Sequence, residues 1–490
     1  MNEFLFNRAT LELPAGGRPH APKRRAIGSV SIVAFALLLY YMVVAPTLSA
    51  FAGALLITCA ALLPIFLWLG GYVRGIPCFL LFSVMHVPYY AIPLVINHPG
   101  VLQYTPEEQL VAAVTVTAYL ALASAIWAAV ARSRPAPEAR CLGFDPRGHV
   151  RHYMGLLAVS VLFTVNSVSG LVNLPQELVS LLRPFISGLS LICVFLLAYN
   201  YGAGRLSGWN KRAFLLLLTL LTLANCIGLL LITAVTCLAS GLAGYWLSAR
   251  KLPLAASIVV CVFLTIFQAG KYEMRNTYLD DGFLTVQPLQ YPAYFGEWMQ
   301  AGVRALAGSS SSNAEISSAN QIGLLERASL MQMLLKVQTE TPSLVPYFDG
   351  DSYVDIPELM LPRFLFPDKA TSHAAMQRLS AHFGLITLDI TERTSVAWGL
   401  LPEAQANFGF FGCAGLAVVM GFMFGFLARS SWGYSVFSVR SVVSIMFMVC
   451  VFGMESHAAA AVTTIFQTMV AVVLASALLA RKRPNPGSEF

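Results

Sequence analysis

The stretch "RAFLLLLTLLTLANCIGLLLITAVTCLASGLAGYWLS", Arg212–Ser248, runs for 37 residues with no charge after its first position. A single helix of that length would reach about 55 Å at ~1.5 Å per residue, against a hydrocarbon core of about 30 Å. It therefore reads as two spans, 212–230 and 231–248, or as one span plus a re-entrant segment. Further apolar runs fall at 27–47, 49–70, 76–96, 109–131, 153–172, 181–201, 253–270, 406–428, 437–456 and 458–480. Two spans in 212–248 make twelve in all, with both termini on one side of a membrane.

Charge placement decides between the readings, because cytoplasmic segments are enriched in Lys and Arg. With twelve spans, 271–405 lies outside the cell membrane and carries 9 Lys+Arg against 15 Asp+Glu. The other 22 basic residues then fall at cytoplasmic ends, Arg183 excepted, among them Lys23-Arg24-Arg25, Lys211-Arg212, Arg250-Lys251 and Arg481-Lys482-Arg483. A single span in 212–248 would put the last of these clusters outside.

The composition agrees: 57% of residues are hydrophobic and 11% charged, with a mean hydropathy of +0.68. The fold class is an all-α polytopic membrane protein of about twelve transmembrane helices. The apolar runs do not alternate as barrel strands do. Residues 1–26 are polar and basic and do not read as a cleavable signal. The nine cysteines lack metal-type spacing, and eight lie in or beside apolar runs, as small packing residues do. The net charge of +7 divides into −6 for 271–405 and +13 for the remainder. That basic face suits anionic lipid and calls for no nucleic acid.

The expected organisation is a cytoplasmic tail 1–26, helices one to nine in 27–270, a periplasmic cap loop 271–405, helices ten to twelve in 406–480, and a cytoplasmic tail 481–490, whose last four residues resemble a cloning remnant. Connections as long as 271–405 are uncommon without a role. Within it, "GSSSSNAEISS" (Gly308–Ser318) reads as a linker. "QIGLLERASLMQMLLKVQ" (Gln321–Gln338) and "HAAMQRLSAHFG" (His373–Gly384) read as helices, the second closed by its glycine. The cap is then a part-helical body on the outer membrane surface. Scarce ionisable residues inside the spans, and no internal repeat, argue against an ion-driven transporter.

Several groups in the cap are candidates for chemistry, each with a plainer alternative. Lys271 and Arg275 are four apart where the ninth span leaves the membrane, so one helix face would hold both at headgroup level, either on a lipid diphosphate or snorkelling. In "LPRFLFPDK" (Leu361–Lys369), Pro362 and Pro367 restrict the chain around Arg363 and Lys369, which suits anion recognition as well as a rigid anchored loop. Arg327 sits on the predicted amphipathic helix, on the anion path or simply solvated. Asp349-Gly350-Asp351 has the form of a DxD metal motif but lies in a turn, where Asp is common. Glu403, just before "ANFGFFG", is a general base in a partly dry site or an interfacial residue. Glu455 and His457 border the same region.

Together, "GKYEMR", "ERASLMQMLLKVQTETP", "PYFDGDSY" with "LPRFLFPDK", and "EAQANFGFFG" resemble, in order, the Wzy-type polymerases of O-antigen and exopolysaccharide repeat units, over roughly 100 residues. The resemblance implies an integral-membrane, GT-C-like inverting glycosyltransferase of a bacterial inner membrane. Its substrates would be undecaprenyl-diphosphate-linked oligosaccharides, donor and acceptor alike, with no metal and no cofactor. A chain-length regulator and a flippase would be its partners. Carried over, Arg275, Arg327 and Arg363 form the diphosphate clamp, with Lys271 and Lys369 in support. Related O-antigen ligases have a histidine about eleven residues before the first glycine of the GxxG; here that position is Trp398. The base is therefore assigned to Glu403, with Asp368 and Glu392 as alternatives. A flippase or exporter of lipid-linked oligosaccharide, or a ligase, stands as the competing function.

Overall fold

A computed structural model describes the chain except residues 1–20, 134–137, 146–148, 170–171, 173–174, 230, 250, 252, 281–282, 285, 308–328, 362–365, 367–368, 372, 386–395, 451–455 and 486–490. The chain is a multi-pass membrane protein. Among the described residues eleven helices are long and apolar enough to cross a bilayer. Its helices are α1 (Ala21–Val44), α2 (Leu48–Leu69), α3 (Cys78–Val84), a π-helical turn (Val87–Ala91), α4 (Ile92–Val95), α5 (Pro99–Leu102), α6 (Pro106–Arg132), α7 (Val150–Ser169), α8 (Gln176–Gly202) and α9 (Gly208–Ile227). There follow α10 (Leu231–Ala249), α11 (Leu254–Tyr278), α12 (Tyr291–Leu306), α13 (Leu330–Glu340), α14 (Ile356–Met360), α15 (Ala374–His382), α16 (Leu400–Ser431), α17 (Val439–Cys450) and α18 (Ala458–Leu479). The run expected as the eleventh span, 437–456, appears as the shorter α17, with 451–455 outside the described residues.

Arg212–Ser248 divides between α9 and α10 at a tight turn in which Leu229 adopts φ 58° and is fully buried. The turn is closed from above: the hydroxyl of Tyr294 on α12 donates to the Ile227 carbonyl (3.0 Å). The sequence reading did not anticipate α12. It packs back along α11, with Gly270 and Gly302 in close backbone approach and Trp298 Nε1 donating to the Phe267 carbonyl (2.7 Å). Between membrane helices, small residues permit such approach and dispersion supplies the attraction. The same device joins α8 to α10, where a side chain on Gly244 would meet the Phe195 carbonyl, and α6 to α16, where one on Gly421 would meet Ala123.

At the end of the bundle opposite the cap, strands β1 (Arg140–Gly143) and β2 (Arg481–Pro484) pair antiparallel, Arg140 opposite Pro484. Buried Asn485 donates to the carbonyls of Glu138 and Gly433 and accepts from Ser435 N–H. Arg440 pairs with Glu138 (2.8 Å) and Arg483 with Asp145 (2.5 Å). The loops after α6, after α16 and after α18 thus lie together at one end, as an even number of crossings requires.

In the cap, α13 covers the described part of the helix expected over 321–338, and α15 matches the one expected over 373–384, ending at Gly384 with φ 62°. The linker expected over 308–318 lies outside the described residues. α11 continues to Tyr278, so Lys271 and Arg275 are helical, and α16 already begins at Leu400, inside the segment assigned to the cap.

Helix α16 is two helices in sequence, broken where Phe408 leaves helical angles and Gly409 takes φ 61°, ψ −146°. Beyond the break, a side chain on Gly412 would meet the Ala404 carbonyl at 2.1 Å, whereas Gly415 has nothing within 4 Å. We predict that Gly409→Ala lowers stability by about 1–3 kcal/mol through left-handed strain. Gly412→Ala should do likewise by about 1–3 kcal/mol through overpacking. Gly415→Ala should leave the thermal unfolding midpoint in detergent unchanged.

Candidate functional site

The break in α16 at Phe408–Gly409 interrupts the helical ladder for the carbonyls just before it, and buried carbonyls must be satisfied otherwise. Asn407, fully buried, answers part of this need. Its Nδ2 donates to the Glu403 carbonyl (2.8 Å) and to the Ser352 hydroxyl (2.9 Å), while its Oδ1 accepts from Gly350 N–H (2.9 Å). The Phe348 N–H donates to the Ala406 carbonyl (3.0 Å). The cap turn Phe348–Asp355 therefore completes the hydrogen bonding of a broken membrane helix. Tyr353 lies over the break, its ring 6.2 Å from that of Phe408.

Beneath this turn sits Glu403, with no solvent exposure. Its Oε2 accepts from the Ala458 N–H at the start of α18, where the helix dipole favours negative charge. Its Oε1 is buried and has no hydrogen-bond partner among the described residues. The Ser352 hydroxyl lies against the same carboxylate. Tyr353 has its pKa raised, first by burial and then by the nearby charge of Glu403. His457 precedes Ala458, and its ring stands 6.2 Å from that of His373, while Glu455 lies outside the described residues. The arrangement has two chemical capacities. It caps a helix with a buried carboxylate, and it holds one carboxylate oxygen in reserve for a proton.

The cations of the cap divide by what they touch. Arg304 pairs with Glu273 (2.7 Å), Lys336 with Glu340 (2.6 Å), and Arg378 with both Asp351 (2.8 Å) and Asp355 (2.9 Å). Burial works against the charge of Arg378, yet the two carboxylates outweigh it and its pKa is raised. Lys369 donates to the carbonyls of Leu359 and Leu361, tethering the chain after α14. Half-buried Arg275 makes no hydrogen bond or ion pair among the described residues, and its Nε is buried. Lys271 lies one turn earlier on the same helix, also half-buried. Arg327, Arg363, Asp368 and Glu392 lie outside the described residues.

The structure does not gather the described candidates at one point. Glu403 belongs to the junction of cap, α16 and α18. The α11–α12 pair that carries Arg275 packs around Met274, Tyr294 and Trp298 against the α9–α10 turn. Asp349-Gly350-Asp351 is a turn, with Asp349 at φ 48° and Gly350 at φ 90°, and Asp351 engages Arg378. Among the described residues no group of three or more His, Cys, Asp or Glu is arranged to hold a metal. Trp398 is a fully buried core residue whose Nε1 donates to Ser380 (2.9 Å). Sequence reasoning missed Asn407 and Ser352, whose pairing depends on a break that only Gly409 signals. It also missed His86, which is buried in the membrane core.

No protein-family model matches the chain, and comparison with curated proteins and with solved structures gives no significant match.

Asn407→Ala should strand the Gly350 N–H, at roughly 1–3 kcal/mol for the group left unpaired. Asn407→Asp keeps the acceptor for Gly350 but turns an acceptor oxygen towards the Glu403 carbonyl in a buried site, and should cost at least as much. Thermal unfolding of the purified variants checks the order.

Proposed function

We propose that this chain polymerises oligosaccharide repeat units carried on undecaprenyl diphosphate. It would work at the periplasmic face of a bacterial inner membrane, with both termini cytoplasmic. The observation that carries the reading is Glu403, a fully buried carboxylate with one unpartnered oxygen where cap and membrane helices join. A carboxylate so placed takes the proton from the acceptor hydroxyl as that oxygen attacks the anomeric carbon of the growing chain. The bond from that carbon to the diphosphate breaks on the opposite face, so configuration inverts and polyprenyl diphosphate departs.

Arg275, on the α11–α12 pair and not at the Glu403 junction, enters this reading through the resemblance. Its guanidinium is half-buried at the end of a membrane helix with no acid beside it among the described residues. A fixed cation stabilises the charge of a departing diphosphate most strongly where water is excluded. Arg327 and Arg363 complete the clamp by resemblance, with Lys271 beside Arg275. Lys369, whose Nζ donates to the Leu359 and Leu361 carbonyls, supports the clamp by the same resemblance.

One feature favours a second reading, movement of lipid-linked oligosaccharide across the membrane. The span Cys78–Val95 is interrupted by the π-helical turn, and His86 stacks there on Tyr90 (5.4 Å between rings). Broken helices and buried ionisable groups mark many transport paths. Here, however, His86 Nδ1 is hydrogen-bonded to the Phe82 carbonyl one turn back (3.0 Å), which also suits a packed core residue.

Purified protein supplied with lipid-diphosphate repeat units separates the readings. Ladders mean polymerase, a single transfer means ligase, and no reaction favours transport. Glu403→Gln retains an acceptor for Ala458 N–H and should fold normally. It should lose about 10²–10⁴-fold in polymer formation, the usual contribution of a general base. Full ladders from that variant would remove Glu403 from the mechanism. Arg275→Ala should leave single units unpolymerised.

A further inference from the structure

We propose that Asp349–Asp355 is a lid over Glu403, and that its Asp351 and Asp355 occupy on Arg378 the place a substrate diphosphate takes when the lid lifts. This rests on the polymerase reading for the identity of the substrate and on geometry for the device. With the lid down, Ser352 and Glu403 both have zero exposure, so no acceptor hydroxyl can reach the carboxylate.

The segment has fixed ends and a middle held by a countable set of side-chain contacts. On one side His382 Nε2 bonds the Pro346 carbonyl (2.9 Å), its ring lies 4.7 Å from Phe348, and Phe348 N–H holds Ala406. On the other, Leu359 of α14 packs with Ala375 and with Ala459 of α18. Between these anchors the fastenings include the Asn407 contacts, the Ser352 hydroxyl against Glu403, the Tyr353–Phe408 ring contact, the Arg378 ion pairs and its bond to the Asp351 carbonyl. Asp349 and Gly350, both at positive φ, supply a bend at the start of the moving part.

Arg378 itself stays put. It projects from α15, whose Met376 and Leu379 are buried and whose Ser380 accepts from Trp398. Both of its carboxylate partners belong to the lid. Lifting the lid removes two negative charges at once, and leaves both a bare guanidinium and an uncovered Glu403. The fork of N–H donors that grips carboxylates also fits phosphate oxygens. Its side chain is 38% exposed, so an arriving anion can compete before the lid has moved. An anion that binds the lifted form more tightly must shift the equilibrium towards it.

Hydrogen–deuterium exchange of the full chain in detergent, read on peptides covering 347–355, tests this without turnover. Inorganic pyrophosphate is compared with sodium chloride at equal ionic strength. In the wild type, pyrophosphate should speed exchange at the Gly350–Tyr353 amides several-fold and saturably. Arg378→Gln should exchange roughly tenfold faster in its absence, as local opening frees the segment, and gain nothing from its addition. The pair Asp351→Asn and Asp355→Asn, which keeps Arg378, should also exchange faster and respond at lower pyrophosphate. Unchanged protection at 413–431 would show that each variant is folded. Wild-type exchange indifferent to pyrophosphate, or Arg378→Gln exchanging like wild type, overturns the lid. A responsive lid in a protein that makes no polymer refutes the polymerase alone.

Discussion

Everything at the cap end follows from one break in hydrogen bonding, at Phe408–Gly409 of α16. A continuous helix would satisfy its own carbonyls and need nothing from the cap. Because the ladder stops, the Ala406 carbonyl takes the Phe348 N–H of the cap turn, and the Asn407 side chain ties the Glu403 carbonyl to the same turn. The soluble and membrane parts are thereby joined through polar contacts inside a sealed junction, where each bond carries the desolvation cost of its loss. The same break sets Leu400–Asn407 apart from the span below and brings Glu403 to the first residue of α18.

A buried carboxylate is costly unless its lone pairs are met. The N-terminus of α18 meets one oxygen of Glu403 and leaves the other. The fold tolerates this remainder at the one place where membrane, cap and last helix converge. Structural cap and chemical group are compatible roles here, because they use different oxygens of one side chain.

The membrane architecture was largely legible in the sequence, because span length and charge placement are local properties. Arg212–Ser248 had to divide, and it does. Helix α15 was legible from spacing and its closing glycine. Helix α12 was not, because its stability lies in contacts of Trp298 and Gly302 with α11 that no local pattern declares. The acidic pair Asp349 and Asp351 resembled a metal motif by spacing alone, and the turn reading fits because Asp351 has an arginine nearby in space. Glu403 was identifiable as an acid at a boundary. Its burial was not, since that depends on a cap turn about fifty residues earlier folding over it.

The ribbon of Arg140–Gly143 with Arg481–Pro484 has a consequence for biosynthesis. These strands are separated by most of the chain, and Asn485, which locks three loops together, is supplied after the final membrane helix. The first strand must therefore wait, unpaired, while every later span is inserted. The ribbon at the end opposite the cap therefore closes only after the spans between its two strands are in place.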